Sequence, residues 1–334
     1  MFRLFLAVLF AAGATAAVAQ DKKPPRIAVN DPAKLKDDAD FATQGEYEGE
    51  IKVGDDTQKA GVQVIARGSG KFEVKAFLGG LPGVGDAADV KKGTAVRDGA
   101  KVVVKDEEGK EVGEIADGVF TIKTNKAEAT LKKVERKSPT LGAKPPEGAV
   151  VLFADEKDVG NWENGKAAEL SDGKFLAASS PRSKTAFQSF TAHVEFRLAW
   201  MPNSTGQGRS NSGVYLQDRY ELQVLDSFGL SGENNECGGF YTLSKPKVNM
   251  CLPPMTWQTY DIEFTAAEFD GKKKTKNARA VVKHNGVLIQ DFEFPKLTPG
   301  GKFKEEVPDA GALYFQDHGD PVVYRNVWVV EKKK

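Results

Sequence analysis

The stretch Gly208-Arg-Ser-Asn-Ser-Gly-Val-Tyr-Leu-Gln-Asp-Arg-Tyr-Glu-Leu-Gln-Val-Leu-Asp-Ser227 reads as a β-hairpin with one apolar and one polar face. Val214 and Leu216 alternate with Gly213, Tyr215 and Gln217. A turn is expected at Asp218-Arg219, and Glu221 and Gln223 then alternate with Leu222 and Val224. Successive side chains of a strand point to opposite faces, so the apolar set suits a core while Tyr215, Gln217, Glu221 and Gln223 gather on the other side. Asp226 arrives where the strand ends. A polar face of this kind either meets solvent or lines a cleft.

Outward from the hairpin the chain continues as strands. Thr191 to Leu198, Gln258 to Thr265, Ala278 to His284, Val287 to Phe294, Gly311 to Gln316 and Val322 to Val330 alternate in the same way, and Asn285-Gly286 suits a tight type I′ turn. No helical periodicity of any length interrupts them, which predicts a sandwich of two antiparallel sheets over residues 148–334. Before it, short alternating segments between glycine turns, from Gly45 to Val134, predict a small all-β accessory domain over 40–137. Ser138-Pro-Thr-Leu-Gly-Ala-Lys-Pro-Pro-Glu147 cannot pair into a sheet and is expected to link the two. Gly83-Val-Gly85 lacks the surrounding strand and helix of a dinucleotide site, so its glycines read as turn formers.

Residues 1–19 place a basic Arg3 before the apolar run Leu4 to Ala12 and end on Ala17-Val-Ala19, the pattern of a signal peptide cleaved near Ala19. The protein is therefore expected in the periplasm or outside the cell, with 20–39 as a linker. No other segment approaches the ~20 apolar residues of a membrane-spanning helix. The 334 residues balance 47 Lys and Arg against 47 Asp and Glu, so no global basic field attracts nucleic acid or anionic lipid. Cys237 and Cys251 are the two cysteines, and in an exported chain they are expected to form a disulfide, the alternative being two buried thiols.

Three histidines can be weighed singly. His193 falls on the polar face of a strand and His284 flanks a turn. His318 lies in the polar loop Gln316-Asp-His-Gly-Asp-Pro321 between two strong strands, where sites concentrate. Glu221, Gln223 and Asp226 have the i, i+2, i+5 spacing of the Glu-x-Asp-x-x-Glu motif of laminarinase-type glycoside hydrolases. Here an amide replaces the middle acid and the shorter Asp the last.

Asn211-Ser-Gly-Val-Tyr-Leu, Tyr220-Glu-Leu-Gln-Val-Leu-Asp-Ser227, Trp257-Gln-Thr-Tyr-Asp-Ile262, His284-Asn-Gly-Val287, Leu313-Tyr-Phe-Gln-Asp-His-Gly-Asp-Pro321 and Tyr324-Arg-Asn-Val-Trp328 together resemble the 3-keto-disaccharide hydrolase domain family. The resemblance implies a concanavalin A-like lectin/glucanase jelly roll and an enzyme that cleaves glycosides first oxidised at C3. Under it, Glu221, Asp226 and His318 are the candidate catalytic residues. Asn211, Tyr215, Gln223, Tyr241, Gln316, Asp317 and Arg325 are candidate substrate contacts. The implied partner is a carbohydrate. No cofactor is assigned and no residues are allotted to a metal, although a divalent cation could hold a developing enolate oxygen. A carbohydrate-binding or envelope structural protein without catalysis is the competing reading, because this fold serves lectins as well as glucanases.

Overall fold

A computed structural model of the chain describes residues 25–84 and 88–332. The expected signal peptide lies outside them. The first eight strands are β1 Gly45–Val53, β2 Asp56–Gly68, β3 Lys71–Leu78, β4 Ala88–Asp98, β5 Lys101–Asp106, β6 Glu111–Ala116, β7 Val119–Lys123 and β8 Ala127–Val134. They pair antiparallel in chain order, and β8 returns to β1 to close a barrel. Closure follows from the sequence: every connection among these strands except the nine-residue one between β3 and β4 is short, and alternation supplies most of the strands with an inward apolar set. Tight turns join them, as at Asp117-Gly118, where both residues take the left-handed φ of 48° and 73° that a hairpin turn needs.

The barrel's interior is not closed by its own residues alone. Trp200, from the second half of the chain, is fully buried in the barrel's core, its ring edge-on to Phe41 at 5.3 Å and its indole N–H bonded to Asp38 at 3.1 Å. The segment expected as a linker carries much of this joint. Val29 forms a backbone bridge to Trp200, Leu35 is buried in the barrel, and Arg26 pairs with Asp320.

The remainder forms two antiparallel sheets and a small hairpin, Glu268–Asp270 with Lys273–Lys276. The smaller sheet runs Trp162–Glu163, Arg182–Phe187, Gly311–Phe315, Ser212–Leu216, Tyr220–Val224. At the centre of the larger sheet, Val323–Glu331, Phe190–Arg197, Trp257–Thr265 and Arg279–His284 lie side by side. One continuous apolar cluster joins Val214, Leu222 and Leu313 of the first to Phe196, Tyr260 and Val282 of the second. The all-β expectation holds, with two sheets packed over a shared core.

The proline-containing segment after β8 lies against the outer face of the larger sheet. Ser138 Oγ bonds Thr259 at 2.6 Å, Thr140 Oγ1 donates to Asp261 at 2.6 Å, and Gly142 N donates to Glu195 at 2.6 Å. Beneath it His193 is buried, 2.6 Å from Asp261 and 3.4 Å from Glu195, with Trp328 stacked on its ring. Burial works against protonation of His193, but its two carboxylate partners outweigh that and raise its pKa.

Two expectations are corrected here. Cys237 and Cys251 are free, buried thiols rather than a disulfide. Both sit in the core between the sheets, and the Cys237 sulfur lies 3.1 Å from the Tyr260 hydroxyl. Arg325 does not reach the hairpin's polar face, because its strand belongs to the other sheet. It donates to Glu195 at 2.7 Å and covers the Trp257 ring at 4.0 Å. No helix among the described residues is long and apolar enough to cross a membrane.

Candidate active site

Ser212–Leu216 and Tyr220–Val224 pair in register, so Tyr215 stands opposite Glu221 and Gly213 opposite Gln223. The turn begins one residue earlier than expected. Gln217 and Asp218 both adopt left-handed φ, 55° and 54°, and Gln217 leaves the polar face to donate its amide to the Phe187 carbonyl at 2.9 Å. Tyr215, Glu221 and Gln223 remain on one face, as the alternation predicted.

Two glycines shape that face. A Cβ on Gly213 would lie 2.5 Å from Glu221 Oε1, so only glycine leaves room for the carboxyl. At Gly300, where φ is +91°, a Cβ would lie 2.3 Å from the Tyr215 hydroxyl. That hydroxyl is 2.7 Å from Glu221 Oε2 and 2.8 Å from the Pro299 carbonyl. One O–H serves either acceptor but not both, which leaves Glu221 with a single, shared side-chain donor.

A pocket of about 100 Å³ opens here, lined by Tyr215, Glu221, Gln223, Tyr241, Gln316 and His318, with Gln207, Pro299 and Gly300 completing the wall. It is small beside the roughly 300–1,000 Å³ of sites that enclose a ligand, so it would take one end of a substrate. Glu221 is only 2% exposed. Burial pushes its pKa up to about 7, and the Tyr215 bond, which favours the ionised form, only partly opposes this. Among the described residues lining the pocket it is the single carboxyl.

In the pocket wall, the amide oxygens of Gln223 and Gln316 are buried and have no protein partner; that of Asn211, which does not line the pocket, is in the same state. Their amide nitrogens are already used. Gln223 donates to Gln207 at 3.0 Å, Asn211 to the Gln207 carbonyl at 2.9 Å, and Gln316 to the Tyr215 hydroxyl at 3.3 Å. Buried acceptors are normally satisfied, so the two in the pocket wall, Gln223 and Gln316, are placed to receive donors from a ligand, and sugar hydroxyls are such donors. The same oxygens with Glu221 would also suit a hard cation in donor type. No group of three His, Cys, Asp or Glu side chains arranged to hold a metal occurs among the described residues.

Asp226 lies outside the pocket. It is buried and accepts from Arg209 Nε at 2.6 Å and from the Phe228 backbone at 3.3 Å. It therefore serves as counter-charge to a buried guanidinium, which corrects its reading as a catalytic acid. His318 is exposed at the pocket rim. Asp317 is exposed and accepts the Gly319 N–H within its own turn at 2.7 Å, so it is not a wall residue. Asp320 fixes this loop by accepting the Asn211 backbone N–H at 2.7 Å while paired with Arg26. Gln207, Pro299 and Gly300 were missed. The Pro299-Gly-Gly301 run is a local turn signal that could have drawn notice, but nothing local shows that the turn folds over Tyr215.

The 3-keto-alpha-glucoside-1,2-lyase-like domain matches residues 148–330, more than half of the chain, and the chain belongs to that family. Two solved structures, each named a "putative glycosyl hydrolase" from Parabacteroides distasonis, are similar to the chain. One is 33% identical and covers 56% of this chain and 85% of its own, with a TM-score of 0.48. The other is 18% identical, covers 56% and 95%, and has a TM-score of 0.36. No curated protein matches. The family places the chain among enzymes that act on glycosides.

Proposed function

We propose that the protein cleaves glycosides whose sugar carries a ketone at C3, by elimination across C1 and C2. The observation that carries this reading is the single buried carboxyl, poised near neutrality, in a pocket that offers it no second carboxyl. A double-displacement glycosidase needs two carboxyls about 5 Å apart, and an inverting one needs two roughly 6.5–9.5 Å apart. Among the described residues the pocket lining supplies Glu221 with neither partner. A C3 ketone removes the requirement, because it acidifies the C2 hydrogen and a modest base then suffices.

In this reading ionised Glu221 takes the C2 proton and the electron pair moves into the enolate. As the enolate collapses to a C1–C2 double bond, the C1–O bond breaks and the leaving oxygen takes a proton, from Glu221 or from His318 at the rim. The products are an unsaturated 3-keto sugar and the free alcohol. Addition of water across the double bond would give the 3-keto sugar and complete a net hydrolysis. Gln223 and Gln316 accept sugar hydroxyls, and Tyr215 steadies the carboxyl. We further read the two-sheet sandwich as a concanavalin A-like jelly roll and residues 1–19 as an export signal.

The test is to incubate the protein with a 3-keto-glucoside and the unoxidised glucoside, with and without chelator, and follow release of the alcohol. Release from the 3-keto compound alone, lost in Glu221→Gln, is the expected result. Binding of both sugars without release would establish a carbohydrate-binding protein instead.

A further inference from the structure

The barrel holds a second cavity that the glycoside chemistry does not use. One end is stoppered by Trp200, Phe41 and Leu35. The other, toward the β1–β2, β5–β6 and β7–β8 turns, opens into a cup of about 300 Å³ lined by Ile51, Val62, Ala76, Val104, Phe120 and Ile122. An eight-stranded barrel is narrow enough for side chains to fill or wide enough to hold one small ligand. Here the inward register carries glycine at three places where filling is impossible. A Cβ on Gly49, Gly93 or Gly113 would lie 2.6, 2.4 or 2.2 Å from a carbonyl oxygen of the neighbouring strand. Of the three only Gly93 lines the cup, and there the missing side chain leaves room in the wall. Val53, in the same inward register at the lip of β1, is 42% exposed.

Two polar side chains at the mouth are engaged within their own turns. Asp106 Oδ1 accepts the Lys110 backbone N–H at 2.8 Å, and Thr124 Oγ1 accepts the Ala127 N–H at 2.9 Å. Lys91, Lys92 and Lys105 stand at the rim with Asp106, Glu107 and Glu108, so the charges balance and favour no ion. An apolar wall of this kind favours apolar over polar occupants. We propose that the open end of the barrel is a binding cup for a compact, uncharged molecule built on an aromatic ring. Phe120 supplies a ring contact and the glycine-bearing wall allows close approach. This site is independent of the glycoside reading and separate from the Glu221 pocket.

The uncharged fluorophore N-phenyl-1-naphthylamine, titrated into the full chain, is expected to bind saturably at one site. Ala76→Phe and Ile122→Trp place bulk in the cup, and each is expected to weaken binding at least tenfold while its melting curve stays cooperative. Glu221→Gln is expected to leave binding unchanged. The anionic relative 8-anilino-1-naphthalenesulfonate is expected to bind at least tenfold more weakly. Three results would overturn the proposal: no saturable binding of the neutral dye, undiminished binding in a folded cup variant, or loss of binding in Glu221→Gln. Equal or tighter binding of the anion would overturn its uncharged character.

Discussion

Two buried carboxylates, Glu195 and Glu221, sit on strands of opposite sheets and differ in their company. Glu195 accepts from Arg325 at 2.7 Å, Asn326 at 2.9 Å and Gly142 N at 2.6 Å, with His193 at 3.4 Å. Burial alone would raise its pKa, but these partners outweigh burial and hold it down at about 2. Glu221 is buried to a similar degree with one shared hydroxyl, and its pKa rises to about 7. Burial therefore does not mark a functional acid. Buried charge with full compensation is structure, whereas a buried acid short of partners, among amide oxygens that also lack them, is available for chemistry.

The contrast breaks most sharply at Glu221. Glu221→Gln keeps the shape but removes the base, so kcat/KM on a 3-keto-glucoside should fall by about 100-fold or more, the usual range for a general base. Aglycone release under saturating and limiting substrate measures it. Full activity in that variant would remove Glu221 from the mechanism.

Glu195→Gln should do the reverse. It leaves Arg325 without its buried counter-charge and His193 with Asp261 alone, and should cost about 3 kcal/mol of stability in denaturant unfolding, with near wild-type kcat/KM in the folded fraction. A neutral effect on stability would show that the cluster is not what fastens residues 138–143 to the sheet.

The pH dependences of stability should also have opposite signs. Glu221 binds its proton more tightly folded than unfolded, so its contribution is complete below about 4.5 and is lost as pH rises toward about 7. Glu195 has the depressed pKa, and its contribution is present above about 4.5 and lost as pH falls toward about 2. Relative to wild type, Glu221→Gln should therefore gain up to about 3 kcal/mol between pH 4 and pH 8, read from urea midpoints. A pH-independent difference would mean that Glu221 titrates normally. Activity should run the other way, rising through about pH 7 as the base ionises.

The smallest effect is expected at the amide wall. Gln316→Leu removes one unpaired acceptor and should raise KM about tenfold with little change in kcat, equivalent to about 1.4 kcal/mol of lost substrate binding. An unchanged KM would place the sugar hydroxyls elsewhere.

Much of the fold was legible because alternation is local. The polar set Tyr215, Glu221 and Gln223 shared a face by counting alone, and Asn285-Gly286 announced a turn that takes left-handed φ at both residues. Pairing between distant strands was not local. Nothing in the sequence around Arg325 said that its strand would join the sheet opposite the hairpin, and nothing around Asp226 said that Arg209 would bury beside it. The spacing of Glu221 to Asp226 resembled a catalytic pair, but a residue beyond the strand end is oriented by its tertiary partner rather than by the strand period.

The sequence by itself determined that this is an all-β protein whose hairpin carries acids and amides on one face, because period-two alternation fixes faces without reference to the rest of the chain. Only the tertiary structure decided which of those groups were compensated. Satisfaction of a buried charge depends on neighbours brought from more than a hundred residues away, as Arg325 is to Glu195, and on glycines such as Gly213 and Gly300 that withhold a side chain. That difference in compensation, and not the motif, separates the poised Glu221 from the structural Glu195.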